Sequence, residues 1–453
     1  MASIIRKHIF NQLLSSITAF LTLFLSGVWL GWISVVLPKV HSGEIPVPMS
    51  GSDITWAVVG LDIGNFLSPL PTGYLMDRYG RLPTLRLAML FFAAASVLAL
   101  VASTPLHFFL ARLLAGVGKG AGFTAAALYV AEIAGPRIRG ALSGVFIVML
   151  TGGLVVSVTF GPWLSFATIN WVILFFPVLG LILTFFVVES PYYRCMRGDS
   201  AAAEKALAAV RDRTKVAART SELELIRLKV AEEQSAKKSA WTLVSERGNR
   251  RALAIVLVTG ILERAGGVAS IMAYASSSLP RDTAGIWDGK LTVMVFSWLC
   301  VVSGLLGVGL VDSCGRKPLQ LVSCLGLAGV TAASSVFYYY HQKAQEDAAG
   351  FVWVPHACIV LFGLFYPVGV GQIPHTFQSE LFPTSVKGHA SAIMTMALAV
   401  ASFASNKLYL AVDLWLVYAA FALCNLASAA FTVFCVFETK GKTLAEIQDL
   451  LDR

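Results

Sequence analysis

Asp77-Arg78-Tyr79-Gly80-Arg81 is answered about half the chain later by Asp312-Ser313-Cys314-Gly315-Arg316-Lys317, with the acid, the glycine and the arginine in the same order. Two further patterns recur in the same sequence of events. Glu132 with Arg139 returns as Glu380 with Lys387, and Val188-Glu189-Ser190-Pro191 returns as Phe437-Glu438-Thr439-Lys440-Gly441. Each pattern sits at the end of an apolar run, so what is repeated is the charged hem of a set of hydrophobic segments.

With 57% hydrophobic and 13% charged residues in 453 positions, the chain falls outside ordinary soluble composition and reads as a polytopic membrane protein. A membrane-crossing helix takes about 20 apolar residues. Twelve such runs are found, at 10–37, 54–76, 85–103, 107–130, 141–164, 169–188, 252–279, 291–311, 319–340, 354–379, 390–411 and 414–437. The expected fold is therefore all-α, with two six-helix bundles at 1–188 and 252–438, a polar linker at 189–251 and a cytoplasmic tail at 439–453. Two homologous membrane halves are the pattern of a secondary carrier whose solute site lies between parallel repeats.

The net charge of +9 is a matter of topology rather than of nucleic-acid binding. With both termini cytoplasmic, 27 of the 35 Lys and Arg residues lie inside, five lie outside (Lys39, Arg281, Lys290, Lys343, Lys407) and three lie within helices (Arg112, Lys119, Arg264). The first apolar run is too long for a leader core and reads as a retained helix. The linker is rich in Ala, Lys, Glu and Arg, and 201–210 and 222–234 carry apolar residues at helical spacing, so short amphipathic helices are expected there. The seven cysteines fall in helices or on the cytoplasmic side and imply no disulfide framework. No nucleophile and base set, phosphate loop or metal-ligand spacing is present, so neither an enzyme, a cofactor nor a metal is expected. The Gly-x-Gly-x-Gly-x-Gly of Gly116 to Gly122 reads as close helix packing.

From about Gly27 to Leu451 these motifs resemble the sugar-porter branch of the major facilitator superfamily. Gly31-Trp32 to Leu37-Pro38-Lys39 and Leu128 through Gly140 look most like the insect facilitated-trehalose-transporter-like proteins. The resemblance implies inter-helix ion pairs that close the cytoplasmic side when the carrier faces outward. That gate falls on Asp77, Arg78, Arg81, Glu132, Arg139, Asp312, Arg316, Glu380 and Lys387, with Glu189 and Glu438 as the hinge-side acids. It also implies linker helices that brace both bundles. Lys387 departs from the usual Arg, exchanging a bidentate fork for a point charge.

The pathway departs further. Where the resemblance leads one to expect amides in the seventh segment, the chain has Glu263-Arg264-Ala265-Gly266-Gly267-Val268-Ala269, and the expected Gln of the fifth segment falls on Ile147. Sugar hydroxyls stripped of water need new partners. The candidates are Trp32, Glu263, Ser270, Tyr274, Gln372, His375 and Ser402, with Gln372 and His375 flanking Pro374 in a broken helix, where polar groups line cavities. Asp62, Arg112, Lys119 and Arg264 join Glu263 as intramembrane charges, each a functional candidate because an unpaired charge there costs a few kcal/mol. The acid that proton-coupled members pair with the Arg112 position falls on Ile33, which favours facilitated diffusion.

The leading expectation is a monomeric plasma-membrane carrier of a sugar such as trehalose or glucose, working by alternating access with the lipid bilayer as its only other partner. A proton-coupled or charged-solute carrier using the intramembrane charges is the alternative of the same class. A non-transporting sugar sensor is the alternative of a different class, disfavoured by the short stretch that follows Glu438.

Overall fold

The computed structural model describes residues 2–45, 47–135, 139–211, 216–235, 241–280, 288–342, 349–382, 384–442 and 444–452. The side chains of Arg139, Ile147 and Asp312 lie outside the described set, as do residues 136–138, Arg281 and Lys343.

Every regular element among the described residues is a helix. The first half holds α1 (Ala2–His41), α2 (Gly51–Leu67), α3 (Pro69–Tyr79), α4 (Arg81–Leu100), α5 (Pro105–Ile133), α6 (Arg139–Phe160) and α7 (Phe166–Leu183). Between the halves run α8 (Pro191–Met196), α9 (Ser200–Val210), α10 (Val216–Ser235) and α11 (Thr242–Ser245). The second half holds α12 (Arg247–Glu263), α13 (Ala269–Ser278), α14 (Gly289–Cys314), α15 (Arg316–Gln342), α16 (Trp353–Val368), α17 (Ile373–Glu380), α18 (Thr384–Ala411) and α19 (Leu414–Cys435), followed by α20 (Leu444–Asp452). Ten stretches of described helix are long and apolar enough to cross a membrane. The other two expected spans, 54–76 and 141–164, are met by α2 running on into α3 and by α6.

Three spans are broken, and sequence chemistry explains each break. At Ser68-Pro69 the proline has no N–H to give, so α2 stops and α3 restarts with Pro69 in its first turn. Between α12 and α13 the residues Arg264–Val268 form a wide turn in which Gly267 takes φ +104°. A Cβ at that glycine would stand 2.5 Å from the buried Phe421 ring, so both the backbone and the space demand glycine. Between α16 and α17 the chain unwinds over Gly369–Gln372. There the Ser323 hydroxyl donates to Phe365 O at 2.8 Å and accepts from Val370 N at 3.0 Å, so the opened backbone keeps its partners without water.

The glycine run of α5 has a neighbour on every side. Cβ atoms built at Gly116, Gly118, Gly120 and Gly122 would lie 2.2 Å from Leu61 O, 3.1 Å from the Phe92 ring, 1.9 Å from Ser68 Oγ and 2.7 Å from Thr22 Cβ. Helix α5 therefore touches α1, α2 and α4 at backbone distance, the small-residue packing that substitutes in a membrane for hydrophobic driving force.

At the end carrying the two termini, each half is closed by the same carboxylate-held turn. The Arg81 guanidinium pairs with Glu132 at 2.8 Å and donates to Met76 O at 3.0 Å, while Glu189 accepts from the Arg81 and Leu82 amides, each at 3.1 Å. In the second half Arg316 pairs with Glu380 at 2.7 Å and donates to Val311 O at 3.1 Å, and Glu438 accepts from the Arg316 and Lys317 amides, each at 3.0 Å. Gly80 and Gly315 turn the chain at φ +110° and +94°, and a Cβ on either would come within 2.4 Å and 2.7 Å of the glutamate that holds it. Burial pushes the Glu438 carboxyl up, but the Arg316, Lys440 and Lys317 amides outweigh it and hold it below the ordinary glutamate value.

Among the described residues, the ion pairs of these clusters join helices of the same half. Asp77 reaches Arg81 at only 3.8 Å and is largely exposed. Arg78 leaves the carboxylates and lies over the Tyr74 and Tyr79 rings, at 5.8 Å and 5.6 Å. Lys387 donates to Ser379 O at 2.8 Å, and Glu380 takes the Thr439 hydroxyl instead, at 2.6 Å. A flexible ammonium satisfied by a carbonyl exerts no grip on a carboxylate.

The two longer linker helices, α9 and α10, attach to the first half, whereas α11 packs on α12 and α18 of the second. Asn11 donates to Ala209 O at 2.8 Å, and Arg211, paired with Glu222 at 2.8 Å, donates to Ile133 O at 2.7 Å, which fixes α9 and α10 beneath α1 and α5. Beneath the second half the tail is a docked helix rather than a free end. Ile447 and Leu451 are buried, Gln448 donates to Leu381 O at 2.7 Å and Arg251 donates to Leu451 O at 3.0 Å.

The two clusters differ in depth. The Arg81 and Glu132 side chains are 3% and 7% exposed, against 12% and 23% for Arg316 and Glu380. Glu132→Gln, which strands a buried guanidinium, is expected to destabilise by about 3 kcal/mol, and Glu380→Gln by about 1 kcal/mol. Thermal unfolding of the two variants in detergent reads the order directly. By the same assay Gly267→Ala is expected to destabilise by about 2–4 kcal/mol through left-handed backbone and overpacking, whereas Gly309→Ala, with open space around it, stays near the parent.

Candidate functional site

The halves meet through α1 with α13, α2 with α18, and α6 with α14. Ser276 donates to Ser34 O at 2.6 Å, Asn406 donates to Asp62 at 2.9 Å, and the Lys407 ammonium lies 4.4 Å from the Trp56 ring centre. All three contacts belong to the parts of these helices far from the Arg81 and Arg316 clusters. Among the described residues, the hydrogen bonds and ring contacts that join the halves lie at that far end. Beyond them sits a cleft of about 150 Å³ lined by Ser34, Lys39, Glu44, Ser276 and Lys290. The Lys39 ammonium, 2.8 Å from Glu44, holds that carboxyl below its ordinary value.

Around the Asp62–Asn406 contact the intramembrane charges gather at the boundary between halves. Asp62 has Lys119, Arg112 and Arg264 within Coulombic reach, so α2, α5 and the α12–α13 break converge on one place. Each charge is held differently. Arg112 is buried and spends its guanidinium on the carbonyls of Trp29, Ala57 and Val58, with no acid as a hydrogen-bond partner. It fastens α1, α2 and α5 together, and Ile33 stands buried where a proton-coupling acid was looked for. Asp62 gives one oxygen to Asn406. Glu263 accepts from the Tyr366 hydroxyl at 2.9 Å and meets Arg264 only at 3.5 Å, and its other oxygen is buried without a partner.

The expected solute contacts divide into two groups. Gln372 donates to Val368 O at 3.0 Å at the mouth of the α16–α17 break and is half-buried, and His375, one turn on, is exposed toward the space shared with Glu263 and Arg264. Trp32, Ser270, Tyr274 and Ser402 do not reach open space in this conformation. Trp32 donates to Asn170 at 3.0 Å inside a ring cluster with Trp29, Phe108 and Phe166. Ser270 bonds Ser405 and Asn406 at 2.8 Å and 3.2 Å, Tyr274 stacks on Tyr409 at 5.0 Å, and Ser402 is 5% exposed. The polar groups of Trp32, Ser270 and Tyr274 are already used by the protein, so these three pack within it.

Sequence reasoning missed Asn406, Asn425 and Tyr366. Asn406 lies one turn beyond Ser402 and joins Asp62 and Ser270 through its side chain. Asn425 steadies the helix break by donating to Gly266 O at 3.3 Å. The available signal was a lone amide or phenol in an otherwise apolar run, which marks buried polar networks as well as solute contacts.

Residues 8–451 match the family model described as sugar (and other) transporter. A facilitated trehalose transporter of Drosophila willistoni is 25% identical over 97% of this chain, which spans only 51% of that relative's length. The corresponding protein of Bombyx mori is 23% identical over 91% of this chain and 81% of its own. A sugar transporter of Arabidopsis thaliana, ERD6-like 7, is 29% identical over 86% and 84%. Among solved structures, the inward-open xylose transporter XylE of E. coli superposes with a TM-score of 0.74 at 21% identity, covering 96% of this chain and 99% of that one. The fold is that of the major facilitator superfamily, and the chain belongs to the sugar (and other) transporter family.

Proposed function

We propose that the chain carries a small polyhydroxylated solute, of the size of glucose or trehalose, across the plasma membrane by facilitated diffusion, as a monomer with both termini in the cytoplasm. The observation that carries this reading is the pairing of two internally braced halves with a joint at one end. Each half is riveted by its own arginine and glutamates, while the joint between halves is helix packing of α1 on α13, α2 on α18 and α6 on α14 with a few hydrogen bonds and one cation over a ring, and no such ion-pair cluster among the described residues. Rigid halves with a light joint can rock about a site placed between them, as alternating access requires.

Gln372, His375 and Glu263, beside the unwound Gly369–Gln372 segment and the Gly267 turn, are the proposed solute contacts. The polar contacts between halves toward the opposite end support a site that opens toward the end bearing the Arg81 and Arg316 clusters, the cytoplasmic side by the positive-inside rule. We assign 1–188 and 252–438 as the moving bundles, 189–251 as the connector and 439–453 as a tail whose helix α20 belongs with the second bundle. The name of the insect relatives supports trehalose as the first sugar to try. The carbonyl-bound Arg112 beside Ile33 supports uptake without protons.

The test is uptake of labelled trehalose and glucose into proteoliposomes, with and without an inward proton gradient. Saturable uptake of either, unchanged by the gradient, is the expected result. Uptake that grows with the gradient would assign the coupling to Asp62 or Glu263, and Asp62→Asn would then abolish the gradient effect.

A further inference from the structure

The charges at the boundary between the halves do not balance, and the excess is positive. Arg112, Lys119 and Arg264 face Asp62 and Glu263, three cations against two carboxylates. Both carboxylates already have donors from the protein, Asn406 for Asp62 and Tyr366 for Glu263. Arg112 is consumed by three backbone carbonyls. Two cations remain underused. Lys119, at the middle of α5, is half-buried and makes no hydrogen bond or ion pair among the described residues. Arg264, at the α12–α13 break, keeps only the 3.5 Å contact to Glu263, leaves its Nε buried without a partner and has 23% of its side chain exposed.

Lys119 belongs to the first half and Arg264 to the second, and the two act on each other electrostatically. In the membrane interior an unpaired cation costs a few kcal/mol, and two of like sign on facing halves add repulsion. An anion placed between them removes both penalties at once. Arg264 supplies a planar fork suited to a carboxylate or phosphate, and Lys119 supplies a compact charge from the opposite wall.

Resting on the carrier reading above, we infer that the transported solute bears one anionic group, a carboxylate or a phosphate on a sugar-sized polyol, which bridges Lys119 of the first half and Arg264 of the second. The unpartnered Glu263 oxygen then accepts a solute hydroxyl at the adjoining position, and Gln372 and His375 meet the rest of the polyol. The anion also changes the force between the halves, since walls that repel when empty are drawn together when loaded, which favours occlusion of the loaded carrier.

The experiment measures uptake of labelled glucuronate, glucose 6-phosphate and glucose by the full chain in proteoliposomes, together with inhibition of each by the other two. One of the two anions is expected to enter and to compete about tenfold better than glucose, and which one does so separates carboxylate from phosphate. Lys119→Gln is expected to reduce that preference to about twofold or less, while Lys119→Arg retains it. Size-exclusion profiles of both variants establish that they are folded, and the Gln and Arg pair separates loss of charge from loss of packing. Glucose uptake with no entry or competition by either anion would overturn the inference and leave the carrier reading standing. Anion uptake without glucose uptake would uphold the inference and overturn a neutral-sugar substrate. No uptake of any of the three by folded protein would overturn both.

Discussion

A glutamate that ties down the first amides of a helix is the constraint on which the rest of this architecture depends. Glu189 and Glu438 each reach back from the end of a half to a turn that only glycine permits, and the arginine following that glycine is thereby aimed at a second glutamate. One backbone contact fixes the direction of a helix, one ion pair fixes its neighbour, and a carbonyl five residues earlier takes the remaining guanidinium donor. Because carboxylate, amide and guanidinium satisfy one another, six helices can end in register at a water boundary without exposing the groups that a helix terminus leaves orphaned. The duplication of this device braces each half in the same way.

Legibility in the sequence followed from how strongly physics restricts each feature. The spans were legible because a membrane demands long apolar runs, and the halves because Gly80 and Gly315 sit in identical charged settings. The clusters at Arg81 and Arg316 were recognised as inter-helix ion pairs, whereas their confinement within each half was not, since charge pattern says who can pair and not on which side of an interface. Asp77, Arg78 and Lys387 illustrate the limit: an acid or base beside a motif is as often spent on solvent, a tyrosine or a carbonyl. At the centre, the helix break beside Gln372 and His375 was legible through Pro374, because a proline leaves a readable defect. Trp32, Ser270 and Tyr274 left none, and their burial depends on partners such as Asn170 and Tyr409 more than a hundred residues away.

The centre of the molecule is an electrostatic balance held by unequal fasteners. Arg112 is spent on backbone, Asp62 on an amide from the opposite half, and Glu263 on a phenol, so the ionisable groups there are used in part as helix rivets. A site built this way leaves few groups free for a solute and makes those few decisive. It also explains how the usual amides of the seventh segment can be absent without loss of fold: Gly267 and Asn425 maintain the break that those residues occupy.

The attachment of α9 and α10 to the first half, and of α20 to the second, has a consequence for how the molecule is inherited as parts. Each bundle carries its own splint, one drawn from the middle of the chain and the other from its end, and neither splint is shared. The chain therefore resembles a pair of half-size ancestors kept at fixed stoichiometry by peptide bonds.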